Sequence, residues 1–446
     1  MVGVTRNYSG TFDGQGHALT VNWNYTGSDD IAPFGDVDNA TIKNLHVKGQ
    51  IEATVHSDLS GLIQNASGKI SLSGCVIDMN LKGSNNVAGM IRLVNANTEV
   101  IITDCFVKGA FNSATKSIGG FVDYQQGSCT MTNCLYAGTN NATGGSNTFA
   151  DNATVTNCYY LNACGRAQGT PITKEQLRNG AVAYKLQNGR SELFWGQTLG
   201  TDNEPMPTDK IEKRVYKVEF TLNDEVKASR YANKGGHVAS LPTAQELLGT
   251  DYDARKTYTL TFDGDFSDAT TIDANRTVAA TVAVSCFNIA TKDDWKEFCD
   301  LVKNGLDKLN AKMTADVDLG EEIVMVGTNV AYRYSGTFDG QGHTLSIDWH
   351  PSSDDIAPFK YVRDATIRNL HVKGKLIGYG YRLSGLINEA NGTNTISNCS
   401  SDMDIAGTAG FGGMIHWLGF DSQATFNDCL VKETHNVLDF KIGGFV

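Results

Sequence analysis

Residues 71–105 read SLSGCVIDMNLKGSNNVAGMIRLVNANTEVIITDC and hold one full repeat with the opening of the next. The segment starts on a short alternating strand, Ser71-Leu72-Ser73, turns at Gly74, and places an apolar Cys75 after the turn. A second apolar cluster follows at Gly89-Met90-Ile91, and then strand and turn return as Ile101-Ile102-Thr103-Asp104-Cys105. Working outward, the same pattern stands at Thr41–Leu45, Thr130–Cys134 and Thr154–Cys158, with spacings of 30, 30, 29 and 24 residues. Gly61-Leu62-Ile63 and Gly120-Phe121-Val122 repeat the second cluster. Short strands with turn residues at fixed offsets cannot bury a face alone, but stacked units can. Parallel stacking about 4.8 Å apart turns equivalent side chains into interior columns. The expected fold is all-β, a right-handed parallel β-helix of the pectin-lyase type.

The pattern is also duplicated on a larger scale. YSGTFDGQGHAL at 8–19 returns as YSGTFDGQGHTL at 334–345, and DDIAPF, NLHVKG, SGLI and IGGFV recur in the same order at offsets of 324 to 326. The ladder returns with it, at Leu370, Cys399 and Cys429. Met1-Val2-Gly3 aligns with Met325-Val326-Gly327, well inside a domain of copy two, and Val446 aligns with Val122. Both modules are therefore expected to be truncated, with signal and anchor outside the chain.

Between the copies the texture changes. Residues 171–188 read as helix, with Thr173 and Gln176 forming a capping box. Residues 215–284 alternate like strands, and Thr291 opens a helix carrying Trp295, Phe298 and Leu301 on one face. The expected organisation is a first β-helix module over 1–170, a helical and strand cap over 171–213, and a small β-rich domain over 214–285. An N-terminal cap over 286–323 then leads into a second module over 324–446. The helix after Thr291 is expected to cover the open start of module two, since an uncovered sheet edge invites aggregation.

Composition narrows the partners. A net charge of -12 without a basic run argues against nucleic acid and anionic membranes. No run of 18 apolar residues marks a membrane span. The ten cysteines contain no CxxC pair, so no cysteine metal site is expected. In-register ladder cysteines sit at strand spacing, wider than a disulfide allows, and are expected to be buried free thiols.

The coil "strand-Asn-Cys-Val … Gly-Gly-Phe-Val" resembles the GLUG-type repeats of bacterial surface and secreted proteins. GTFDGQGH at 10–17 and 336–343 is similar to the first coil of such β-helices, and residues 291–340 are similar to the entry of such domains in gut-bacterial surface proteins. The 215–284 region, closing on TIDANRTVAATV, resembles the Listeria–Bacteroides class of small β domains. The resemblance implies a bacterial cell-surface or extracellular setting and says little about activity, because fold does not imply function.

Candidate chemistry is sparse. The pairs Asp29-Asp30 and Asp354-Asp355 could supply an acid and a base for glycoside cleavage, with His17 and His343 as proton carriers. The Asn-Thr-Asp, Gly-His-Gly and Arg-x-Lys elements of pectinase-like hydrolases are absent, as is a calcium-binding carboxylate cluster with an Arg base. FDGQGH reads as a tight turn, with Gly14 and Gly16 supplying backbone freedom. His46 and His371 alternate with apolar residues and should face solvent. Asp13, Asp36 and Asp38, or Asp263, Asp265 and Asp268, offer turn oxygens to Ca²⁺ but match no EF-hand loop, so no cofactor or metal is expected.

A binding role fits better than catalysis. Exposed aromatics on flat coil faces can stack on sugar rings; Trp23, Tyr25, Trp349, Tyr379, Tyr381 and Trp417 are candidates. Trp23 and Trp349 hold equivalent places beside the Asp pairs, so the expected ligand site is Trp23, Asp29 and Asp30 with Trp349, Asp354 and Asp355. The expectation is a non-catalytic protein of adhesion or glycan binding, its partner a glycan or host-surface ligand. The alternatives are an accessory region of a larger secreted hydrolase, or a structural stalk.

Overall fold

A ladder of left-handed turns sets the architecture. In a computed structural model that describes residues 1–446 except His56, Gly144 and 438–441, and omits the side chains of 409, 435–437 and 442, Asn44, Gly74, Asp104, Asn133 and Asn157 all take φ between 50° and 61°. Asn, Asp and Gly tolerate this region where bulkier residues do not. Asn369, Asn398 and Asp428 repeat the ladder in copy two. Each turn throws the chain from one parallel sheet onto the next, and the result is a β-solenoid of about 15 turns, 48% strand and 9% helix.

Two compact units divide the chain, Met1–Pro242 with Phe262–Ala279, and Thr243–Thr261 with Ala280–Val446. In the first, the strands Thr11–Asp13, Thr41–Lys43, Lys69–Ser73, Glu99–Thr103, Ser128–Thr132 and Thr154–Thr156 form one parallel sheet. Its inner column runs Phe12, Ile42, Leu72, Ile102, Met131 in register. From Ile42 onward these side chains are buried, each worth about 1.5–3 kcal/mol. A second sheet starts at Ala18–Tyr25 and His46–Ala53, and a third joins Phe34–Asp38, Ile63–Ser67, Ile91–Val94 and Val122–Gln125.

All ten cysteines are free thiols, eight of them buried. Those of the ladder donate to carbonyls of the preceding coil, Cys75 Sγ to Ile42 at 3.6 Å and Cys134 Sγ to Ile102 at 3.7 Å.

Residues 171–188 form two short helices, Lys174–Arg178 and Ala181–Gln187, rather than one. The capping box at Thr173 and Gln176 is present, and Gly180 at φ 93° breaks the path between them. They flank the solenoid rather than cap its end. An outward column of Val76, Phe106, Leu135 and Tyr159 is covered by Leu177, Val182, Leu186 and Trp195.

The 214–285 stretch is divided between the two units, to Pro242 and over Phe262–Ala279 in the first and over Thr243–Thr261 and from Ala280 in the second. One unbroken strand, Arg276–Ile289, runs through its end: Arg276–Ala279 pairs with Val218–Thr221, and Cys286–Ile289 pairs with Asn310–Met313. The second unit continues with Thr337–Asp339, Thr366–Arg368, Thr393–Ser397 and Gln423–Asn427 on the same parallel plan. The helix Lys292–Lys303, capped by Thr291 and Asp294, packs on the first coil residues of this solenoid. Trp295 meets Phe338 edge-on at 5.7 Å and Phe359 at 6.0 Å, and Phe298 meets Tyr334 at 5.6 Å.

Candidate functional site

The expected tryptophan sites do not form. Strand alternation in Thr344–Trp349 turns Leu345, Ile347 and Trp349 inward, and Trp349 is fully buried opposite Leu376. A buried ring cannot carry a sugar. Trp23 occupies the same inward position opposite Ile51 and packs, half-buried, on the core of the first unit. Trp349 is a core residue, and Trp23 packs partly exposed against the core.

The Asp pairs tie neighbouring coils together. Asp30 Oδ1 accepts from the Asp58 amide at 3.0 Å, and Asp29 Oδ2 accepts from the Tyr25 hydroxyl at 2.5 Å. Asp354 Oδ1 accepts from the Tyr381 amide at 2.8 Å. Asp355 pairs with Arg382, whose Nε and Nη2 lie 2.5 and 3.1 Å from its two oxygens. That guanidinium holds the Asp355 carboxyl below its usual range. Asp355 and Arg382 both take left-handed backbone, at φ 65° and 60°, a cost of the order of 1–3 kcal/mol each that the surrounding structure must hold.

Beside this pair, the outward face of one sheet carries a column of which sequence reading named only Trp417. Phe359–Arg363, Ile387–Asn391 and Ile415–Leu418 are parallel, and their register brings Tyr361, Glu389 and Trp417 into line. Val362 and Ala390 are buried and Leu418 packs on the core, so the residue immediately before each, Tyr361, Glu389 and Trp417, faces out. Trp417 is 50% exposed, Tyr381 48% and Tyr379 86%. Arg333 Nη1 donates to Glu389 at 2.9 Å, and its guanidinium lies 5.1 Å from the Tyr361 ring. Asn391 Nδ2 donates to the same Glu389 oxygen at 2.9 Å. His416 lies among these groups; burial and then the Arg382 charge push its pKa down, leaving a neutral imidazole at pH 7. The signal for the column was present: each of these residues stands two after the apolar residue of the second repeated cluster. In copy one that offset falls on Asp36, Asn65, Leu93 and Tyr124.

The histidines read as solvent-facing divide. His371 is exposed, its Nδ1 against Ser400 Oγ, whereas His46 is partly buried with Asp78 at 3.9 Å. His343 meets Asp316 at 3.2 Å. Among the described residues no group of three or more His, Cys, Asp or Glu side chains gathers as for a metal ion. Asp13 is instead held by Lys43 and Asn44, and Asp36 by Asn65.

Comparison with protein-family models, curated proteins and solved structures gives no match for this chain.

Proposed function

We propose that this chain belongs to a bacterial cell-surface or secreted β-helix protein and binds glycans without cleaving them. The observation that carries the reading is the Tyr361–Glu389–Trp417 column on a flat sheet face, with Tyr379 and Tyr381 exposed nearby. An exposed indole offers a large apolar plate, and the neighbouring Arg333, Glu389 and Asn391 hold polar groups in fixed positions beside it. Sugars present both an apolar ring face and a hydroxyl rim, so this pairing suits them. Cleavage would need one carboxyl kept protonated beside one ionised. The Asp355 carboxyl is held ionised by Arg382, which favours binding over hydrolysis. The GLUG-like repeat supports the surface setting.

A glycan-array screen of the purified chain tests this. Binding is expected, with the signal of at least one glycan lost in Trp417→Ala and Tyr361→Ala but kept in Trp23→Phe. No binding by a folded, β-rich sample would overturn the reading.

A further inference from the structure

The first unit contains a groove of about 1150 Å³ that the aromatic face does not explain. One wall is the left-handed turn ladder, from the FDGQGH turn through Asn44, Gly74 and Asp104; the other is formed by residues 191–194 and 207–211. This second wall is firmly fixed. Arg190 donates to both oxygens of Asp104 at 2.9 and 2.7 Å and to the carbonyls of Leu186 and Gln187. Its guanidinium carbon lies 4.4 Å from the Phe194 ring centroid, and Trp195 Nε1 donates to Asn133 O at 3.1 Å. Phe194 is thus backed by a guanidinium, lines the groove and is 39% exposed.

The two copies differ where the groove lies. In copy two the ladder is continuous: Asn398 Nδ2 donates to Asn369 Oδ1 at 3.1 Å, and Asn369 Nδ2 donates to Asp339 at 2.9 Å. In copy one, Asn44 Nδ2 donates to Asp13 at 3.2 Å, but residue 74 is glycine and supplies no side chain to Asn44 Oδ1. A Cβ there would come within 2.7 Å of Asn44 Oδ1. The missing rung leaves Asn44 Oδ1 without the amide donor that Asn398 supplies in copy two, and a side chain at 74 would displace the Asn44 amide.

We propose that this groove is a second binding site, for a neutral saccharide chain, with Phe194 under a sugar ring and Asn44 Oδ1 and Asp13 accepting from its hydroxyls. A peptide strand is disfavoured because the wall's main chain is already committed: Asn44 N donates to Ser73 O at 2.9 Å, Gly74 N to Thr103 O at 3.1 Å, and Asp104 N to Thr132 O at 3.0 Å. These turn amides are therefore not free for strand addition. An acidic saccharide is disfavoured by charge, since Asp13, Glu192 and Asp209 line the groove against Lys43 and Lys210, and Lys43 is already paired with Asp13. The site extends glycan binding to the first unit and does not rest on the Trp417 face.

Calorimetric titration with cellohexaose, xylohexaose, mannohexaose and chitohexaose tests it, in the Trp417→Ala chain so that the other face is silent. At least one should bind at a single site, and Gly74→Asn, which adds the side chain found at Asn398 and displaces the Asn44 amide, should weaken binding tenfold or more in a chain that still melts cooperatively. Should Gly74→Asn disturb folding, Phe194→Ala must show the same loss. Failure of all four sugars to bind the Trp417→Ala chain, or unchanged affinity in the groove variants, overturns the site. Loss of all binding on Trp417→Ala alone would assign sugar recognition to the other face only.

Discussion

Phe12 and Phe338 hold the same place in the two copies of the repeat, yet Phe12 keeps 37% of its surface exposed and Phe338 none. The difference comes from what stacks on them. Phe338 lies beneath Ala311, with Trp295 and Phe298 of the capping helix against its ring, whereas Phe12 meets only Phe34 among the rings of the described residues, edge-on at 5.5 Å.

The cap should therefore carry much of the second unit's stability. Trp295→Ala is expected to cost about 3–5 kcal/mol, the range for large aromatic truncations in a core. Phe12→Ser should cost under about 1 kcal/mol, since its ring is already partly in water. Urea unfolding of the two variants measures both.

Removing Arg190 should loosen the segment that follows the flanking helices. Its partner Asp104 is buried, and a buried carboxylate stripped of its cation costs about 3 kcal/mol. Arg190→Ala should open the 188–212 segment to limited proteolysis while the coil strands stay resistant.

Asp123 predicts a pH dependence in the first unit. Burial lifts its carboxyl to about 6; the Asp58 charge adds to this, while Arg92 and the Ser117 hydroxyl oppose it. An acid whose pKa is higher folded than unfolded favours the fold when protonated. Its contribution is full below about pH 4 and lost as pH rises through about 6. Asp123→Asn should remove that slope and raise the melting temperature at pH 8.

The thiols should separate into two classes. Cys286 and Cys429 are partly exposed, and the other eight are buried. Burial raises the pKa of Cys129 and Cys399 to about 12, which keeps them protonated and unreactive. Alkylation read by mass spectrometry should label Cys286 and Cys429 first, and the rest only in denaturant without reductant.

The coil period was legible because turn chemistry and burial repeat on the same spacing: Asn or Asp in a left-handed turn, then a buried Cys. Exposure of individual aromatics was legible only in part: of the six candidates, Tyr379, Tyr381 and Trp417 are exposed. Trp23 and Trp349 look identical in sequence, and their burial depends on strand phase and on whether a coil precedes them. The Tyr361–Glu389–Trp417 column was readable in principle from a constant offset, but its residues lie about one coil apart and join only through register. The 1150 Å³ groove depends on a segment more than eighty residues distant from the turns it faces, so local pattern could not reveal it.

The most direct measurement of the central claim is iodide quenching of tryptophan fluorescence, with and without a saturating glycan from the array. Trp195, Trp295 and Trp349 are fully buried and Trp23 is half-buried, so Trp417 is the indole most open to iodide. The expected result is that bound glycan shields the fluorescence, and that this shielding disappears in Trp417→Phe. Saturated binding with iodide access to Trp417 unchanged would contradict the account.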